Sequence, residues 1–149
     1  MRFFWEHKFL SFLIVMGIIY WFANPAGRFG YVRKGFAIYN RIPLAFCDLY
    51  VDAGGEHTLL EDLKKKRVQK HWYSEVQKLS DRQGYKKVIL IIGNGFGVER
   101  SAVIEEDYIS RLRNSNVKIK MLPSEKAVEV FNSHKDRGDP TAILLKLKN

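Results

Sequence analysis

Five residues, Gly93-Asn94-Gly95-Phe96-Gly97, stand between an unbroken apolar run, Val88-Ile89-Leu90-Ile91-Ile92, and a stretch whose apolar residues recur with a helical period. Glycines at such a strand-to-helix turn let backbone N–H groups approach an anion, and α/β proteins place ligand contacts at this kind of turn. The pattern Gly-Asn-Gly-Phe-Gly-Val-Glu lacks the third spaced glycine of a dinucleotide fingerprint and the lysine of a phosphate-binding loop. No acid ends the next apolar run to hold a ribose; Met121-Leu122-Pro123 stands there instead. The first reading is therefore a tight turn, and the second a small-ligand or nucleotide-binding enzyme that uses Gly93 to Gly97 as an anion site. Phe96, apolar at the loop tip, reads as a partner contact.

The remaining polar residues assemble no catalytic set. His7, His57, His71 and His134 are scattered, without carboxylate or cysteine at metal-ligand spacing, and each reads as a surface residue. Glu105-Glu106-Asp107 are consecutive on a helix and point in different directions. Ser101, Ser124 and Thr58 fall at helix starts, where capping accounts for them. Asn132 ends a helical stretch, as a left-handed cap or as a side chain bound to a neighbouring loop. No catalytic residue, metal or cofactor is expected.

The chain has 149 residues and a formal charge of +9, spread along its length. Only Lys64-Lys65-Lys66-Arg67 with Lys70 forms a basic run. No aromatic-rich RNA-binding motif, zinc-finger spacing or helix-turn-helix pattern accompanies it, so a solvated helix face or a contact to a partner or anionic lipid is favoured over nucleic acid. An apolar fraction of 46% excludes a disordered chain, and the single cysteine, Cys47, excludes an internal disulfide framework.

Around the glycine loop, the order is strand (Val88 to Ile92), helix (from Ser101, with Ile104, Tyr108, Ile109 and Leu112 inward), alternating half-covered or edge strand (Val117 to Met121), helix (from Pro123-Ser124, with Ala127, Val128, Val130 and Phe131) and strand (Ala142 to Leu147). That order predicts a small, mainly parallel sheet flanked by helices. Upstream, Leu44 to Val51 reads as a strand closed by the turn Asp52-Ala53-Gly54-Gly55, and Ala37-Ile38-Tyr39 as a short strand. Thr58 to Gln83 reads as helix, Thr58 and Glu61 having capping-box spacing.

At the amino terminus Phe9 to Ala23 is uncharged and apolar on every side. With Phe3-Phe4-Trp5 counted and Lys8 snorkelling, this predicts a single transmembrane helix, with Trp5 and Tyr20-Trp21 in the two head-group belts. A cleaved signal peptide is the rival, but Ala23-Asn24-Pro25-Ala26 is a poor cleavage site. Arg28, Arg33, Lys34 and Arg41 follow the span, which predicts a carboxyl-terminal domain on the cytoplasmic or mitochondrial matrix side. Residues 1–27 are then an anchor, 28–43 a juxtamembrane connector and 44–149 the α/β domain.

Val88-Ile-Leu-Ile-Ile-Gly-Asn-Gly at the loop, Val117-Lys-Ile-Lys-Met-Leu-Pro-Ser-Glu-Lys-Ala-Val-Glu-Val-Phe-Asn132, and Arg137-Gly-Asp-Pro-Thr-Ala-Ile-Leu-Leu145 together resemble the family of mitochondrial complex I assembly factor three and its small archaeal and bacterial relatives. Gly93, Asn94 and Gly95 match that family's Ile-Gly-Thr-Gly-like turn, with asparagine for threonine. Ser124, Ala127, Phe131 and Asn132 match its later helix. The resemblance implies a three-layer α/β fold without established catalysis and, from the mitochondrial member, a scaffolding role in building a respiratory complex. The expected protein is a membrane-anchored, non-enzymatic assembly factor or accessory subunit of a membrane protein complex. Its expected contacts are Gly93, Asn94, Gly95, Phe96 and Gly97, the run Lys64 to Lys70, and Asn132, with the lipid bilayer beside them and a small ligand as the alternative.

Overall fold

The structure is a computed structural model, and it describes residues 2–61, 69–70, 73–74, 76–78, 88–96, 109–111 and 117–148. It opens with helix α1 (Arg2–Ala23), followed by strands β1 (Phe29–Arg33), β2 (Phe36–Tyr39), β3 (Ile42–Ala45), β4 (Asp48–Val51) and β5 (His57–Leu60). After β6 (Val88–Gly93) and β7 (Val117–Leu122) come helix α2 (Ser124–Asp136) and strand β8 (Thr141–Leu145). Residues 69–70, 73–74, 76–78 and 109–111 are helical.

Two sheets form. A three-stranded antiparallel meander runs β1-β2-β3, and a five-stranded sheet has the order β5-β4-β8-β6-β7. In the larger sheet β6 is parallel to both β7 and β8, while β4 is antiparallel to β8 and to β5. Most strand pairs among the described residues are therefore antiparallel, which corrects the expectation of a mainly parallel sheet. The cause is connection length: β1 to β5 are joined by links too short for a crossover, and short links return a strand antiparallel to its neighbour. Only the segments with a helix between strands, such as β7-α2-β8, run parallel.

The inner strands of the five-stranded sheet are buried on both faces, which is why β6 and β8 are continuous apolar runs and not alternating ones. On one face Leu90, Ile92, Ala142 and Leu144 pack with Tyr50, Val76 and Ile109. On the other, Ile91, Ile143 and Leu145 meet Ala127, Val128 and Phe131 of α2 and Phe29, Ala37, Tyr39 and Leu44 of the small sheet. The buried Asp48 carboxylate accepts both the Leu147 and Lys148 N–H groups at 2.9 Å, and so continues the β4–β8 seam past the last ladder bond.

Several local expectations change. Leu44 to Val51 is two strands, broken where Phe46 takes a positive φ of 58°. Thr58 lies in β5, paired opposite Tyr50, and caps no helix. The turn at Asp52 forms as expected: its carboxylate accepts the Glu56 N–H at 2.9 Å and its carbonyl the Gly55 N–H at 3.1 Å. β7 sits at the sheet edge, as its alternation implies.

The transmembrane expectation is overturned. No helix among the described residues is long and apolar enough to cross a membrane. Charges at Arg2, Glu6 and Lys8 confine the uncharged part of α1 to Phe9–Ala23, ~22 Å at ~1.5 Å per residue, against the ~30 Å of a hydrocarbon layer. The single-pass placement and the orientation drawn from the flanking cations fall with it.

α1 ends on the small sheet. The Tyr20 hydroxyl donates to the Arg41 carbonyl at 2.8 Å, and the Arg41 guanidinium lies 3.3 Å over the Trp21 ring while donating to the Asn24 carbonyl at 3.2 Å. The remainder of the apolar stretch, Phe9 through Ile19, lies exposed.

Candidate functional site

β6 delivers the glycine loop to a crowded junction. A Cβ on Gly93 would stand 2.6 Å from Leu145 Cδ1 and 3.2 Å from Ser124 Cα, so even a methyl group there would force its neighbours to shift. Gly95 has a φ of +100°, a conformation that L side chains rarely adopt. The Asn94 N–H donates to the Leu122 carbonyl and the Gly95 N–H to Ser124 Oγ, both at 2.9 Å. Ser124 returns the contact through its own N–H to the Gly95 carbonyl and donates its hydroxyl to the Lys146 carbonyl, each at 2.9 Å. Lys146 N–H closes the circuit on the Gly93 carbonyl at 3.0 Å. The loop thus ties together the ends of β6, β7 and β8 and the start of α2. Ser124, expected as a helix cap, makes no cap hydrogen bond and serves this junction instead.

This geometry bears directly on anion binding. The amides of Asn94 and Gly95 already have protein acceptors, and the buried Asn94 Oδ1 has no hydrogen-bond partner among the described residues. An unpaired carbonyl oxygen repels an anion and would instead accept from a donor. Phe96 is partly buried against the apolar cluster beneath α2 and is not an exposed tip. Gly97 and Lys64, Lys65, Lys66 and Arg67 lie outside the described residues; Lys70 is exposed on a helical segment. Asn132 is far from a free recognition group, because its amide grips the Phe29 peptide: Oδ1 accepts the N–H at 3.0 Å and Nδ2 donates to the carbonyl at 2.8 Å. The structure therefore gathers Gly93, Asn94 and Gly95 around Ser124 and leaves Asn132 and Lys70 elsewhere.

Sequence reasoning missed a polar cluster at the other end of α2. His134, expected at the surface, is buried. Ser124, Ala127, Val128 and Phe131 are the inward positions of α2, and His134 continues that stripe at helical spacing, which was the available signal. Its Nδ1 lies 2.7 Å from Asp139 Oδ2 and 2.9 Å from Arg137 Nη2, and its Nε2 lies 2.9 Å from Lys120 Nζ. Of these neighbours only Asp139 accepts, so Nδ1–H donates to the carboxylate and Nε2 accepts from the Lys120 ammonium. The order Asp-His-Lys resembles a base held by an orienting acid. With Nε2 occupied by a cation, however, it fastens edge strand β7 to the end of α2 and offers no free base. The hydrogen bond from His134 is the main cause holding the Asp139 carboxyl below its usual range, with the Arg137 charge helping.

A third polar group pins the β4–β5 turn. Lys135 Nζ donates to the Ala53 carbonyl at 2.6 Å and Tyr39 donates its hydroxyl to the Gly55 carbonyl at 2.8 Å. Burial lowers the Lys135 ammonium from its usual range, opposed by Asp52. Burial, with the Asp52 charge behind it, pushes Tyr39 up to about 12. Cys47 is a free, half-buried thiol, pushed up by burial and by neighbouring Asp48. No group of His, Cys, Asp and Glu among the described residues could hold a metal ion.

Fold and site together define an α/β domain with a mixed five-stranded sheet whose glycine turn is a structural junction. No family model matches the chain, and no curated protein matches it significantly. Two solved structures share the fold. One is described as an outer membrane protein from Bartonella henselae, with a TM-score of 0.63 and 15% identity, covering 85% of this chain and 98% of that one. The other, named MT938, has a TM-score of 0.53 and 17% identity, covering 82% and 98%. At these identities the likeness is one of fold alone.

Proposed function

We propose that this chain is a non-enzymatic accessory subunit or assembly factor of a membrane protein complex, and that α1 is the element it packs against that complex. The observation that carries this reading is the exposure of α1: Phe9, Leu10, Phe12, Leu13, Ile14, Val15, Met16, Ile18, Ile19, Trp21 and Phe22 are each between 48% and 80% exposed. Side chains of this size leave on the order of 1,000 Å² of apolar surface in water, where monomeric proteins seldom keep a contiguous patch above a few hundred. Apolar helices of a larger complex are a fitting cover. The motifs that resemble the complex I assembly family point toward a respiratory complex as that partner.

The rival reading, an anion- or nucleotide-dependent enzyme at Gly93 to Gly97, finds its loop amides Asn94 and Gly95 already bonded to Leu122 and Ser124. Extraction of the full chain in mild detergent, followed by size separation and mass spectrometry, tests the proposal. Migration with a defined complex, lost in Leu13→Asp/Ile19→Asp while the domain still folds, is the expected result. A stable lone species, with a nucleotide-induced melting shift abolished by Gly95→Val, would replace the scaffold with the enzyme.

A further inference from the structure

An unusual residue stands at the end of the three-stranded sheet, just past β3. Phe46 is 81% exposed and holds a φ of +58°, while its N–H donates to the Gly35 carbonyl at 3.0 Å. Glycine or asparagine would take this left-handed conformation with less strain, and a polar side chain would suit the exposure better. A bulky aromatic held in water on a strained backbone calls for a reason outside the folded core, and contact with a partner supplies one.

The surroundings of Phe46 are apolar with a basic rim. The antiparallel register sets Tyr31, Ile38 and Pro43 in one row and Arg33, Phe36 and Ala45 in the next. Val32, Ala37 and Leu44 turn the other way, into the core. Tyr31 is 48% exposed, its ring 6.2 Å from that of half-buried Phe36; Pro43 and Ala45 are exposed. Phe46 follows Ala45 directly, its N–H on Gly35 of the β1–β2 turn, where Arg33 and Lys34 are both exposed. From Asn24 to Cys47 the chain has four cations, Arg28, Arg33, Lys34 and Arg41, and no acid.

We propose that this face, with Phe46 as its anchor, docks an acidic protein segment that lays apolar side chains on Tyr31, Phe36 and Phe46 and sets carboxylates against Arg33 and Lys34. Charge complementarity selects the occupant. A second copy would bring Arg33 and Lys34 against the same cations and is disfavoured, whereas an acidic partner is attracted to a chain of net charge +9. Phe46 stands by the β1–β2 turn, at the opposite end of the β2–β3 pair from the Arg41 turn that α1 contacts, and the proposal stands whether or not that helix packs on a complex.

Random peptides displayed on phage, selected on the immobilised full-length chain, provide the probe. Selected sequences are expected to combine Asp or Glu with an aromatic or large aliphatic residue. As synthetic peptides they are expected to bind at least about tenfold more weakly to Phe46→Gly and to Arg33→Glu/Lys34→Glu. Phe46→Gly is informative because it relieves the backbone, so its melting temperature should hold or rise while binding falls. Three results overturn the proposal: no enrichment above background, peptides without acidic residues, or peptides that bind the variants as well as the parent. Binding of the parent but not the variants to phosphatidylglycerol vesicles, without peptide selection, would assign the face to an anionic lipid surface instead.

Discussion

Asn132 holds the peptide unit of Phe29 from both sides, its amide completing for β1 the pair of hydrogen bonds that a neighbouring strand would otherwise supply. The contact spans 103 residues and joins α2 to the small sheet, directly beside the edge-on packing of Phe29 against Phe131 at 5.5 Å. Asn132→Ala leaves a buried N–H and carbonyl without partners, at an expected cost of ~2 kcal/mol or more. Asn132→Asp keeps the acceptor but sets a carboxylate against the Phe29 carbonyl, so its loss is expected to be larger at neutral than at acid pH. Thermal unfolding followed by circular dichroism measures both; an unchanged melting temperature for the alanine variant would return Asn132 to the role of a partner contact.

Gly93 and Ser124 form one junction and are expected to behave as one in mutation. Gly93→Ala forces a Cβ against Leu145 Cδ1 and the Ser124 backbone, and over-packing of this kind costs ~1–3 kcal/mol. Ser124→Ala removes the acceptor of the Gly95 N–H and the hydroxyl donor to the Lys146 carbonyl, at a comparable ~1–3 kcal/mol. Because both changes disturb the same circuit, the double variant should lose less than the sum, with a coupling of ~0.5 kcal/mol or more in a denaturant-based mutant cycle. Strict additivity would mean that the two residues do not share a junction.

What was readable in the chain and what was not divide along physical lines. β6 and β8 announced themselves because burial on both faces writes a continuous apolar run, and β7 because an edge strand alternates. The Asp52 turn was readable because an aspartate side chain bonds its own backbone and glycine takes the positive φ such a turn needs. The direction of β4 was not, since no strand's own residues state which neighbour it pairs with. The break at Phe46 was hidden for the opposite reason: its residue type argues against the positive φ it adopts. Thr58 and Glu61 matched a capping box by spacing alone, and strand pairing with Tyr50 overrode it. At the site, Gly93 and Gly95 are legible as turn formers, but the hydroxyl that receives the Gly95 amide comes from Ser124, remote in sequence. α1 showed its apolar character at once; length, set by the charges at its start, decides that it does not span a bilayer.

The His134 cluster predicts a change in the titration of its neighbour. The imidazole hydrogen bond is the foremost cause holding the Asp139 carboxyl low, with the charges of Arg137 and Lys120 acting in the same direction. A carboxylate whose folded value is depressed contributes stability that is present above its unfolded value, near ~3.9, and is lost as pH falls through the folded one. His134→Gln is expected to raise the Asp139 value toward the ordinary range and to weaken the acid-side stability loss tied to it. Carbon-13 carboxyl titration by NMR reads the shift directly, and an unmoved Asp139 would show that Arg137 and Lys120 alone hold it.

Tyr39 makes the opposite prediction at the alkaline end. Its buried hydroxyl donates to Gly55, and burial together with the charge of Asp52 raises it to about 12. A group raised in the folded state contributes stability that is fully present below its unfolded value, ~10 for tyrosine, and lost as pH climbs through the folded one. Above pH ~10 the unfolded chain therefore gains by ionising at this position while the native chain does not. Tyr39→Phe removes that linkage along with one hydrogen bond. It should be less stable than the parent by ~1 kcal/mol near neutrality, with the difference narrowing between pH ~8 and ~11 in urea unfolding. Ultraviolet titration of the parent should show a late-ionising phase to which Tyr39 contributes, and that phase should be smaller by one tyrosine in the variant. A stability difference that stays constant across this pH range would place Tyr39 in an environment as wet as the surface.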